Sequence, residues 1–176
     1  MRDVSYQYQC GFNMLESMIA TLVVSVGLLG VAGMQMVAMK GANHAFQQST
    51  ASDLMRGLLE RMRSNSKGVY AENYNITGSA NYNCSTPLAK DCEDGTTTCN
   101  AADLAKSDLH RTICGAGGLK SSLLSSSLSI SCQGGAGTCA TGIKFKINWN
   151  ERLLGKEGGG GKTLPREISL NTVIAE

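Results

Sequence analysis

The chain has 176 residues and a formal net charge of +2, enough for one hydrophobic helix and one modest soluble domain but not for two independent cores. Sixteen basic residues against fourteen acidic ones is too mild a balance for a nucleic-acid binder, which carries a strongly basic face. Twenty-one glycines beside two prolines and 5% aromatics point to a loop-rich domain and exclude a large aromatic core.

Residues 1–11 are polar, and Arg2 and Asp3 cancel, leaving the amino terminus as a weak positive-inside signal. Gly11 to Met39 is the long apolar stretch. From Ser17 to Met39 no side chain is formally charged, and a helix of that length spans the roughly 30 Å hydrocarbon core of a bilayer. Gly11 precedes the apolar run, so cleavage after it removes a leader and retains the helix, unlike a secretory signal peptide, whose site follows a shorter apolar region.

Glu16 is the one charged residue in the stretch. An ionisable group inside a membrane costs about 2.5 to 3.5 kcal/mol on insertion scales and marks a functional position by default; the bland alternative places it at the headgroup boundary. No Lys or Arg shares its helix segment, so a buried Glu16 needs a cation from another chain. Gly27, Gly30 and Gly33 recur at near-helical spacing, which fits either close helix packing or the ordinary tolerance of membrane helices for glycine.

After Lys40 the pattern becomes amphipathic. Ala42, Ala45, Phe46, Ser49, Met55, Leu58, Leu59 and Met62 are expected on one face, with one helix continuing from about Asn13 to Ser64. Asn65, Ser66 and Gly68 supply the stop. Arg56, Arg61, Arg63 and Lys67 read as a solvated face near the helix C-terminus.

Gly68 to Ser127 is rich in Asn, Ser, Thr and Gly, with a short helical pattern only at Ala101 to Ile113. A stretch this irregular requires covalent bracing or a function of its own. With Cys10 in the leader, processing leaves Cys84, Cys92, Cys99, Cys114, Cys132 and Cys139, an even set suited to three disulfides in an oxidising compartment. Fifteen pairings are possible; the segment between Cys132 and Cys139 favours joining those two. Zinc is disfavoured because there is no C-x-x-C pair and His44 and His110 lack ligand spacing. Asp91, Glu93 and Asp94 lack the ordered ligand alternation of a calcium loop.

The final third alternates with period two. Leu128, Ile130 and Cys132 form one run; Ile143, Phe145, Ile147 and Trp149 a second; Ile168, Leu170 and Thr172 a third. They predict an antiparallel sheet with one face on the amphipathic helix, and hairpin loops at Gly134–Thr141 and around Gly155–Lys162. The GKEGGGGKT segment at Gly155 to Thr163 is not a phosphate loop: Lys156 stands where the first glycine is required, and Leu164-Pro165 replaces the start of the phosphate-facing helix. No hydrolase or metalloprotease motif is present in recognisable context, so neither an enzyme nor a cofactor is expected.

Gly11, Phe12 and Glu16, followed by an uncharged helix, resemble the class III leader and N-methylation motif of type IV pilins and type II secretion pseudopilins. GLLGVAGMQ at Gly27–Gln35, Ala42-Asn43, Asp53-Leu54 and ERMRSN at Glu60–Asn65 are similar to the PilV group of minor pilins, the type IV pilus modification proteins.

The resemblance implies an α+β, type IV pilin-like fold, a long N-terminal helix packed on a C-terminal antiparallel sheet through a disulfide-braced connecting region. It divides the chain into a leader at 1–11, a helix at 12–65 (17–39 transmembrane or filament core, 40–65 amphipathic), a variable connection at 66–127 and a sheet at 128–176. It also implies cleavage after Gly11 by a prepilin peptidase, methylation of Phe12, and attraction of a neighbour's N-terminal ammonium by Glu16. The expected setting is the bacterial inner membrane, single-pass with a periplasmic domain, and then the pilus at the cell surface. Expected partners are other minor pilins, the major pilin and a tip adhesin. A minor pseudopilin of type II secretion shares these features. A membrane-anchored periplasmic binding module with an uncleaved signal anchor is the alternative from another class.

Overall fold

In a computed structural model, residues 13–92, 97–134, 139–152 and 163–174 are described. Gly11, Phe12 and Cys10 lie outside them, as do Glu93 and Asp94 and the 155–162 glycine-rich loop. The elements are α1 (Met14–Ser64), α2 (Ser66–Tyr70), α3 (Ala101–Cys114), α4 (Leu119–Ser122), β1 (Ser127–Cys132), a 3-10 turn (Cys139–Thr141), β2 (Ile143–Arg152) and β3 (Thr163–Thr172). The chain divides into two units, one ending at Ala42 and the other running from Asn43 to Glu176.

In the first unit every described residue is exposed, large apolar side chains such as Leu22, Val26 and Leu29 included. No charged side chain interrupts the helix between Glu16 and Lys40, and α1 is long and apolar enough to cross a membrane.

In the second unit α1 buries Ala51, Met55, Leu58, Leu59 and Met62, a stripe at the three-to-four-residue spacing of one helix face. The expected apolar face is corrected at its N-terminal end: Ala42, Ala45, Phe46 and Ser49 are exposed, Phe46 to 68%. Helical geometry gives the reason. Continuing the buried stripe backwards from Ala51 by four and then three residues leads to Gln47 and His44, and Phe46 falls on the far side. The position is polar because its partner is: Trp149 on β2 donates its indole N–H to Gln47 Oε1 at 3.0 Å.

The helix ends at Asn65, whose side chain accepts from the Gly68 amide at 3.3 Å and caps α2. Gly68 is required there. A Cβ on it would lie 2.5 Å from Asn65 Nδ2 and 2.9 Å from the Ala101 carbonyl oxygen, closer than real Cβ contacts permit. The helix expected at Ala101–Ile113 is α3, opened by a reciprocal capping box between Asn100 and Asp103.

The sheet has the order β1-β2-β3, antiparallel throughout. Ile130, Phe145 and Leu170 form one cross-strand row and Leu128, Ile147 and Ile168 the next. The first two members of each row are buried, and they share one hydrophobic cluster with Met55, Leu58 and Met62 of α1. Three disulfides join Cys84 to Cys114, Cys92 to Cys99 and Cys132 to Cys139. The first fastens the irregular connection to the end of α3.

Candidate assembly surface

The exposed helix of the first unit is the clearest chemical anomaly of the chain, because water does not tolerate a continuous apolar surface of this extent without a partner or a membrane. Its polar residues manage themselves. Ser17 Oγ donates to the Met14 carbonyl at 2.8 Å, Thr21 Oγ1 to Met18 at 2.9 Å and Ser25 Oγ to Thr21 at 2.7 Å. Such back-bonding within the helix is what an apolar surrounding demands of a hydroxyl.

Glu16 cannot be satisfied in this way. It lies in the first turn of α1, where the helix dipole favours an anion, and its amide donates to the Asn13 carbonyl at 3.0 Å. No cation is paired with its carboxylate among the described residues. Among the described residues nothing outside the helix's own turns approaches Gly27, Gly30 or Gly33, since a Cβ at each would meet no such atom within 4 Å. These glycines are not required by packing within the described residues.

The second unit adds a polar seam that sequence reasoning missed. Tyr74 Oη donates to Asp108 Oδ2 at 2.6 Å and accepts from Asn65 Nδ2 at 3.0 Å, while Asn65 also reaches the Ala101 carbonyl at 2.8 Å. Arg61 approaches Asp108 from α1 at 3.5 Å. Burial, reinforced by the Asp108 hydrogen bond, pushes the Tyr74 phenol well above its ordinary pKa. Farther up α1, Glu151 of β2 accepts from Arg166 Nε at 2.8 Å and stands 3.4 Å from His44 Nδ1. Both clusters brace α1 against the elements it packs on. No sequence motif announces either one, because their members lie far apart in the chain.

A groove of about 330 Å³ between α1 and the end of α3 is lined by Thr50, Asp53, Gly57, Arg61, Arg111 and Gly117 among others. It holds no nucleophile next to a base, and among the described residues no group of His, Cys, Asp and Glu is placed to hold a metal. The surface with chemical consequence is the helix.

Residues 33–110 match the Tt1218-like family, described as Type IV pilin Tt1218. This stretch is type IV pilin-like. The match takes in the last turns of the exposed part of α1, its buried part, the first part of the connecting region and most of α3, and it stops before the sheet, so it reaches into both units rather than resting on the apolar helix. The architecture agrees with it: a long N-terminal helix, an antiparallel three-stranded sheet and disulfides make an α+β pilin-like fold. Pilins are structural subunits, and the pilin family implies assembly with other pilins in a pilus. Glu16, Gly11 and Phe12 precede the matched residues. No curated protein and no solved structure matches the chain.

Proposed function

We propose that the chain is a minor type IV pilin of the PilV kind, a subunit that promotes initiation and assembly of the pilus. In this reading residues 1–11 are a leader removed by prepilin peptidase after Gly11, and Phe12 becomes the methylated N-terminus. The apolar part of α1 holds the subunit in the inner membrane as a single pass, with the disulfide-bonded domain in the periplasm, until it enters the filament core. Other minor pilins, the major pilin and a tip adhesin are its partners.

The observation that carries the proposal is the combination in the part of α1 before Lys40: an exposed apolar surface whose hydroxyls are internally satisfied and whose one acid, Glu16, has no cation paired with it among the described residues. A carboxylate in low dielectric is stabilised far more by a nearby positive charge than it would be in water. The N-terminal ammonium of an adjacent subunit supplies that charge at the correct end of a parallel helix bundle. Lipid is the costly environment for Glu16, and the filament is the compensated one.

Glu16→Ala therefore leaves cleavage of the leader intact and removes the subunit from sheared pili. Wild-type recovery of the variant in the sheared fraction would refute the role of Glu16. Loss of exoprotein secretion on deletion, with piliation and twitching preserved, would reassign the chain to a type II secretion pseudopilus.

A further inference from the structure

Four of the six bonded cysteines are paired out of chain order. Cys84–Cys114 encloses Cys92–Cys99, whereas Cys132–Cys139 joins neighbours. Pairing in chain order would instead join Cys84 to Cys92 and Cys99 to Cys114. The unfolded chain does not resist that wrong set, because the chance that a flexible loop closes falls roughly as the −3/2 power of its length. Cys84 meets Cys92, eight positions on, about sevenfold more often than it meets Cys114, at a separation of 30. Cys92 does not discriminate either, with Cys84 eight positions away and Cys99 seven.

The folded chain excludes the wrong set. Cys99 directly precedes Asn100, the N-cap of α3, and Cys114 is the last residue of that helix. Fourteen helical residues rise about 20 Å, while a disulfide needs Cα atoms within about 7 Å of each other. Cys99–Cys114 therefore cannot coexist with α3, which places Ala105, Leu109 and Ile113 in the core and offers Asp108 to Tyr74. A chain mispaired in this way is held short of the fold until the bond is exchanged.

We propose that this chain matures through disulfide isomerisation, with a thiol–disulfide isomerase of the oxidising compartment as the partner it requires. A disulfide-donating oxidase, itself reduced to the dithiol, meets the cysteines as they cross the membrane and joins Cys84 to Cys92 and Cys99 to Cys114. The isomerase thiolate attacks Cys114 Sγ, a mixed disulfide forms, and Cys99 leaves as a thiolate. Cys99 then attacks Cys92 Sγ, which makes Cys92–Cys99 and releases Cys84 as a thiolate. Cys84 attacks Cys114 Sγ in the mixed disulfide, makes Cys84–Cys114 and returns the isomerase thiolate. The exchange starts and ends with two disulfides in the chain and one thiolate on the enzyme, so nothing is oxidised or reduced overall. The proposal rests on the pilin reading for the compartment and for the order of crossing.

The test expresses the full chain in bacteria that keep the periplasmic oxidase and either keep or lack the periplasmic isomerase. Free thiols are alkylated in briefly induced cells, and disulfide-linked peptides are mapped by mass spectrometry. The expected result without the isomerase is loss of Cys84–Cys114 and appearance of Cys99–Cys114, with Cys132–Cys139 unchanged. A double variant, Cys92→Ser with Cys99→Ser, leaves Cys84 and Cys114 consecutive among the remaining cysteines, so it should form Cys84–Cys114 equally in both strains. Equal yields of Cys84–Cys114 from the wild-type chain in both strains, or a double variant that depends on the isomerase as the wild type does, would each overturn the isomerisation and leave the pilin reading standing. Six free thiols in both strains would overturn the compartment assigned by the pilin reading and the isomerisation with it.

Discussion

Tyr74 joins three segments of the second unit through one hydroxyl, which donates to Asp108 on α3 and accepts from Asn65, just past the end of α1. Its ring is buried. Replacing it with Phe leaves the cavity filled but strips a partner from two part-buried polar groups, a loss of about 1–3 kcal/mol. The sign of the pH effect follows from the raised pKa. An unfolded tyrosine ionises near 10, while the folded phenol keeps its proton, so the stability tied to Tyr74 is complete below that pH and declines as pH rises above it. Urea melts at pH 8 and pH 11 should show wild-type stability falling and Tyr74→Phe falling less. Part of the slope will persist in the variant, since burial also raises Tyr82. Nothing in the sequence singles out Tyr74, which lies among asparagines and owes its role to residues 9 and 34 positions away.

At the scale of elements, α1 is the instructive case. Its apolar composition and lack of proline make its existence and length readable, because helical period and charge depletion are local signals. Its facing direction is not fully local. Between Asn43 and Thr50 the stripe is chosen by what stands opposite, and Trp149 selects Gln47 over the more hydrophobic Phe46. This register yields a pair of opposite predictions. Leu58→Ala, at a side chain 1% exposed, should cost about 2–5 kcal/mol. Phe46→Ala should leave stability within about 0.5 kcal/mol of wild type. Denaturant melts of the full chain in detergent micelles compare the two directly; a large loss at Phe46 would place α1 in the other register. The strands were easier to read than the helix face, because alternation of Ile143, Phe145, Ile147 and Trp149 against lysine and asparagine fixes both period and buried side in one short segment.

At the scale of the whole molecule, the connecting region between helix and sheet was the least legible part. Its order comes from cross-links and caps whose partners are distant, and six cysteines do not disclose their pairing. Cys132–Cys139 was readable because a short segment separates the two residues; Cys84–Cys114, 30 residues apart, was not. Loop entropy makes the longer bridge the more valuable. Removing Cys84–Cys114 as a double alanine variant should destabilise by about 1 kcal/mol more than removing Cys92–Cys99, which closes a separation of 7 residues. Equal losses in thermal melts would argue that the loops are held by other contacts.

In the proposed reading the second unit is the cargo, and α1 with Glu16 is the means by which it is placed. In that reading Gly11, Phe12 and Glu16 act together, since cleavage frees the Phe12 amine, and its ammonium form is the cation that the carboxylate of a neighbouring subunit requires. Mass spectrometry of the chain isolated from sheared pili reads this most directly. The expected N-terminal peptide begins at Phe12 and carries one methyl group on its amine, with Cys10 absent. A chain that retains residues 1–11, or an unmethylated Phe12, would contradict it.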